Sequence, residues 1–183
     1  MKKRLFILVE GEDDVRFFGR IIKPYFKGSY DSVEIVPYAS IKRDKVNRFL
    51  KSIRLMKNDY IFVSDIDSEY SVRDKKQVLY YRYSEVDGGS IIVVIKEIES
   101  WYLAGLNENA SRIIGVPSSS STDEVTKEIF NDMIPKHFSS RIDFMFEILK
   151  HFSLPVAAER NRSFSYFIHR YHIDWERTSG EKI

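Results

Sequence analysis

The chain has 183 residues, of which 43% are apolar and 14% aromatic, with a net charge of +2 and no cysteine. That is enough apolar material for a packed domain core and excludes a disordered chain. The missing cysteines exclude disulfides, thiolate catalysis and zinc ribbons, and the small net charge means that any attraction for a polyanion must be local.

The opening "MKKRLFILVEGE" imitates a secretory signal, but its apolar run of five residues stops at Glu10, too short for a signal core. No run approaches the about 20 apolar residues of a membrane span. The expectation is a soluble, cytoplasmic protein with no membrane partner.

Residues 4–9 carry a continuous apolar run after Arg4, as in a strand buried on both faces. Residues 13–23 place Val15, Phe18, Ile21 and Ile22 at helical spacing before Pro24. "SVEIVPY" (32–38) alternates as a second strand, and residues 41–57 carry a helical stripe that includes Val46, Leu50 and Ile53. "YIFVSD" (60–65) is a third strand, residues 71–82 a helix, "SIIVVIKE" (90–97) a fourth strand, and "SWYLAGL" (100–106) starts another helix. Strands separated by helices of this length predict βαβ units: an α/β fold with a mostly parallel sheet of about four strands and helices on both faces. After 107, "GVPSSSSTDE" (115–124) reads as a loop, followed by helices at about 123–134, 140–151 and 162–173. The expected organisation is an α/β core over 1–106 with a helical extension over 107–183 packed on it as one compact unit.

Three of the predicted strands end in acids. The first delivers Glu10, the third Asp65 and Asp67, the fourth Glu97 and Glu99. In a parallel sheet these ends share one edge, where ligands bind. Carboxylates gathered there need a counter-charge, and hard oxygen donors without Cys or clustered His favour one or two Mg²⁺ or Mn²⁺ ions. In an extended "DID", Asp65 and Asp67 would share a face while Ile66 turned to the core. Asp14, four residues after Glu10, can face the same edge. A single acid after a strand more commonly caps the next helix. Asp13 is read as that cap and Glu12 as a solvent residue, while Glu97 and Glu99 also suit a helix's first turn.

Cations accompany the acids. Helix 41–57 carries Lys42, Arg43, Lys45 and four further basic residues against the single acid Asp44, a face suited to a nucleic-acid backbone. Lys96 sits beside the third acid cluster, and Arg160 and Arg162 lie at a helix start. Phe164 and Phe167 are expected in the core. The four histidines all fall in the last third without metal-ligand spacing.

"VEGEDD", followed about fifty residues later by "FVSDID", resembles a Toprim domain. This metal-binding fold is shared by topoisomerases, primases, small RNA-maturation nucleases and OLD-type nucleases. The family's Glu-Gly and Asp-x-Asp stand here as Glu10-Gly11 and Asp65-Ile66-Asp67. The OLD-like branch adds an acid four residues after the motif Glu, here Asp14, an Asp where that branch has Glu. "KEIESWYLAG" (96–105) and "NRSFSYFIHRY" (161–171) resemble motifs of small Toprim-like proteins found with ATPases in bacterial defence loci. The Toprim resemblance covers roughly residues 4–105.

The resemblance implies an Mg²⁺- or Mn²⁺-dependent nuclease acting on DNA or RNA, service in phage defence, and an ATPase partner. Glu10, Asp65 and Asp67 would be the core ligands. Asp14 with Glu97 or Glu99 would complete the set or supply a base. Two other readings share the same acids: a non-catalytic metal-binding module that regulates an ATPase, and a receiver-like domain phosphorylated on Asp65 with Lys96 as its lysine.

Overall fold

A computed structural model describes residues 3–174. The chain divides into two compact units, Met1–Val94 and Ile95–Ile183, earlier than the 106/107 division the sequence suggests.

The N-terminal unit is built on four strands: β1 (Arg4–Val9), β2 (Ser32–Pro37), β3 (Asp59–Asp65) and β4 (Ile91–Val94). They form an all-parallel sheet in the order β2-β1-β3-β4. The fold is therefore α/β, as the strand–helix alternation predicts. The continuous apolar character of β1 follows from its central place, with Leu5 to Val9 all buried. Its even positions, Phe6 and Leu8, join Phe62 of β3 in a core closed by Val46, Leu50 and Ile53 of α3 (Arg43–Leu55) and Leu79 of α4 (Val72–Arg82). Its odd positions, Leu5, Ile7 and Val9, point to the opposite face and are equally buried.

The segment after β1 runs as α1 (Glu12–Phe17), a π-helical turn (Phe18–Ile22) and α2 (Lys23–Phe26). The helix thus continues past the predicted stop at Pro24. The π turn lies just before Pro24, which falls in the first turn of α2. Strand β4 is shorter than predicted. Lys96 takes a left-handed backbone with φ of 63°, so the extended ladder ends before the Glu97/Glu99 pair.

The C-terminal unit is helical: α5 (Ile98–Ala104), α6 (Glu108–Ile114), α7 (Lys127–Asp132), α8 (Arg141–Lys150), α9 (Leu154–Arg160) and α10 (Arg162–Arg170). The sequence reading anticipates α5, α7, α8 and α10 but not α6 or α9. Helix α6 rests on its cap, Asn107, whose side chain accepts the Ala110 N–H at 2.8 Å. Helix α9 carries Pro155 in its first turn, a residue that reads locally as a breaker.

The unit's core joins the two motifs that the sequence singles out. Trp101 donates from Nε1 to Ser163 Oγ at 2.8 Å, and its ring lies 5.0 Å from Phe164 and 5.5 Å from Phe167. Asn161 caps α10 by accepting the Phe164 N–H at 3.0 Å, and it donates to Ser100 Oγ and Thr122 Oγ1 at 3.3 and 3.2 Å. Phe164 and Phe167 are fully buried, as expected. No helix among the described residues is long and apolar enough to cross a membrane.

Candidate functional site

The strand order sets the place. The chain moves from β1 to β2 on one side and to β3 on the other, so the winding reverses between β1 and β3. At such a reversal the connections diverge and leave a crevice beyond the carboxyl ends of the strands. Glu10 follows β1 directly, and Asp65 ends β3.

The register brings these ends together. Leu8 lies opposite Phe62, and two residues on, Ser64 Oγ donates to Glu10 Oε1 at 2.6 Å. The same oxygen accepts the Asp65 N–H at 3.1 Å and the Tyr38 hydroxyl at 3.3 Å. Tyr38 also donates to the Val63 carbonyl at 3.0 Å. Charge-assisted bonds of this kind fix the Glu10 carboxylate, whose Oε2 accepts no hydrogen bond among the described residues. Burial, then the Glu10 carboxylate, drive the Tyr38 phenol well above its ordinary pKa, so it remains a neutral donor. Sequence reasoning missed Ser64 and Tyr38. The available signal was a polar residue at an inward position of an otherwise apolar strand.

Asp67 departs from the expected arrangement. Strand β3 ends at Asp65, and Asp67 has a left-handed φ of 53°, a conformation Asp tolerates better than most residues. The two aspartates are therefore not alternate positions of one extended strand. Ile66 does pack on the core, as predicted. The turn carries the Asp67 carboxylate to the ammonium of Lys75 on α4, which also lies 3.8 Å from Glu69. The Lys75 side chain is 5% exposed and that of Asp67 59%. Lys75, too, was missed, although its i, i+4 spacing to Leu79 places it on the buried stripe of α4. Glu10, Tyr38, Ser64, Asp67, Lys75 and Arg82 contribute to one cavity of about 230 Å³.

The remaining acids have other settings. Asp14 is buried, and its Oδ2 accepts the Gly11 N–H at 3.1 Å. Asp13 is therefore not the cap: the N-cap of α1 is Gly11, Asp14 at the third helical position reaches back to its N–H, and Asp13 lies in the first turn and pairs with Arg16. Glu12 is exposed, as expected. Within the C-terminal unit, Glu97 is the N-cap residue of α5 and accepts the Lys127 N–H at 2.5 Å. Glu99, in the first turn, pairs with Arg141 at 2.5 Å and its side chain is 4% exposed.

Of the expected phosphate contacts, Lys42, Arg43 and Lys45 are exposed at the start of α3, with Arg43 3.6 Å from Asp44. Lys96 pairs with Glu124 at 3.1 Å. Arg160 donates to the Leu106 carbonyl, and Arg162 binds Asp123 through both its backbone N–H and Nε, at 2.8 and 2.6 Å.

Among the described residues no group of three or more carboxylates or imidazoles is drawn together as an ion cage. The donors at the β1/β3 edge are nevertheless all carboxylate oxygens, and Glu10 is anchored through one oxygen only. That donor chemistry fits Mg²⁺ or Mn²⁺ and not a zinc site of nitrogen and sulfur ligands.

No family model and no curated protein matches the chain. Among solved structures, the C-terminal region of the Burkholderia pseudomallei OLD protein is similar to 93% of this chain over 95% of its own, with 13% identity and a TM-score of 0.36.

Proposed function

We propose that the N-terminal unit is a Toprim-type nuclease that uses Mg²⁺ or Mn²⁺ to cleave phosphodiester bonds of DNA or RNA. One observation carries the reading. At the reversal of the sheet, Glu10 is locked onto the end of the neighbouring strand by Ser64 and the Asp65 N–H, and both Glu10 and Asp67 line the adjoining cavity.

Glu10, Asp65 and Asp67 would hold the ion. When bound, it supplies charge stabilisation to the attacking and leaving oxygens of the phosphodiester. The chain's own groups supply orientation. Ser64 Oγ and the Asp65 N–H, with the Tyr38 proton shared between this oxygen and the Val63 carbonyl, set the direction of the other oxygen, so little freedom is lost when that oxygen is used. Tyr38, kept neutral by burial, adds a donor and no charge. Lys75 offsets part of the negative charge at this edge. Lys42, Arg43 and Lys45 would contact the nucleic-acid backbone. Asp14, Glu97 and Glu99 serve as structural acids in this reading. The defence-locus motifs add an ATPase as the expected partner and phage defence as the setting.

The test is cleavage of single- and double-stranded DNA and RNA by the full chain with Mg²⁺ or Mn²⁺, against Glu10→Gln and Asp65→Asn. Activity lost in both variants supports the proposal. Metal-dependent cleavage that survives both would refute it, as would the lack of cleavage of every substrate with and without an ATPase partner.

A further inference from the structure

The positive charge of the chain is gathered on one face. Helices α3 and α4 carry nine basic residues, five and four in turn, against Asp44 and Asp74, while the whole chain has a net charge of only +2. Both helices cover the same side of the sheet. Leu50 and Ile53 of α3 share a core with Leu79 of α4, and Arg54 near the end of α3 pairs with Glu85 just after α4. Arg48, Lys51, Arg73 and Arg82 are exposed and make no ion pair among the described residues.

Aromatic rings stand out of this basic surface. Tyr81 of α4 is 90% exposed, and Tyr70, just before the helix, is fully exposed. Tyr81 lies three residues after Val78, so the two share a helix face. Val78 and Arg82 line the cavity that holds Glu10, and the Arg82 guanidinium lies 5.4 Å from the centre of the Tyr83 ring. Rings and cations thus continue from the cavity along the outside of α4. Phosphates of any nucleic acid are held by such cations. A duplex keeps its base faces stacked inside, whereas a single strand offers them to exposed rings.

We infer that the outer surface of α3 and α4 binds single-stranded nucleic acid, with Arg48, Lys51 and Arg82 on phosphates and Tyr81 and Tyr70 stacked on bases. The inference rests on the proposed nuclease reading and names its substrate class. Single strands of DNA and RNA offer the same phosphates and base faces, so both are bound.

The test is binding without turnover. With chelator present, the full chain is titrated against labelled oligo-dT, oligo-U and a duplex of equal length, and binding is read by fluorescence anisotropy. Single strands should bind at least about tenfold more tightly than the duplex. Tyr81→Ala should weaken single-strand binding about tenfold, and adding Tyr70→Ala about tenfold more, with duplex binding unchanged. Tyr81→Phe keeps the ring and should keep the wild-type affinity. Both tyrosines are exposed, so neither substitution should disturb folding. Arg48→Gln with Lys51→Gln should flatten the salt slope for single strands by about 1.4.

Duplex bound as tightly as single strands overturns the inference, as does a Tyr81→Ala variant that matches the wild type. Tighter binding to anionic lipid vesicles than to any oligonucleotide overturns it too, and so does the lack of binding to every oligonucleotide. In each case the nuclease reading stands wherever the same chain still cleaves with Mg²⁺ or Mn²⁺.

Discussion

"DID" and "EIE" look alike in the sequence: two acids around an isoleucine, each after an apolar run. The structure gives them different fates. Asp65 ends a seven-residue strand beside Glu10. Asp67 itself takes a left-handed backbone and lines a cavity shared with Glu10 and Lys75. The Glu97/Glu99 pair comes after a strand of only four residues and belongs to the first turn of α5. There Glu97 meets a backbone N–H and Glu99 an arginine. The difference arises where each strand gives way to its next element. A central parallel strand delivers its terminal acid to the sheet's crevice, whereas a short strand ended by a left-handed lysine hands its acids to a helix dipole.

The contrast can be broken most sharply by activity. Glu10→Gln and Asp65→Asn are expected to lower metal-dependent cleavage by about a thousandfold or more, about 4 kcal/mol of transition-state stabilisation. Glu97→Gln should change it by less than about threefold. Equal losses at all three positions would erase the distinction between the two motifs.

Stability tests the other half. Glu99→Ala leaves the Arg141 guanidinium beside a buried void and is expected to cost about 3 kcal/mol, read as a lowered urea midpoint. A cost below about 0.5 kcal/mol would mean that Glu99 is not a structural acid.

A smaller effect is expected at Tyr38. Removing its hydroxyl in Tyr38→Phe takes away the one proton shared between Glu10 and the Val63 carbonyl, at about 1 kcal/mol. The pH dependence comes from the raised phenol. The folded chain keeps this proton to a higher pH than the unfolded chain, whose value is near the ordinary 10.0. Its contribution is therefore full below that value and is lost as pH rises beyond it. Wild-type stability should fall more steeply than that of Tyr38→Phe between about pH 9 and about pH 11. Parallel slopes would contradict the assigned environment.

The smallest change in stability, within about 0.5 kcal/mol, is expected when Lys42, Arg43 and Lys45 are replaced together by glutamine, because all three are exposed. Affinity for nucleic acid should fall, and the salt dependence of binding should flatten by about one unit for each phosphate contact removed. An unchanged salt slope would move the backbone contacts to another face.

Much of the fold is legible in the sequence. Continuous apolar runs at β1 and β3, with helical stripes between, specify a parallel sheet. The buried faces of α3 and α10 follow from their spacing, down to Phe164 and Phe167. Other features are hidden for physical reasons. The π turn just before Pro24 depends on how the segment packs. The end of β4 depends on a backbone angle at Lys96 that its side chain does not advertise. The helix begins at Glu12 with Gly11 as its cap, so Asp13 falls inside the first turn and Asp14 is the acid that reaches the Gly11 N–H.

The sequence by itself determined that acids stand after apolar strands and which residues can fill two cores, because periodicity and residue chemistry are local properties. Only the tertiary structure decided which acids share an edge. Strand order placed Glu10 beside Asp65, and the register put Ser64 on Glu10. The path of α4 brought the Lys75 ammonium to Asp67. Neighbours across a sheet are set by the connections between strands, and a counter-charge is set by whichever helix those connections fold back over the edge.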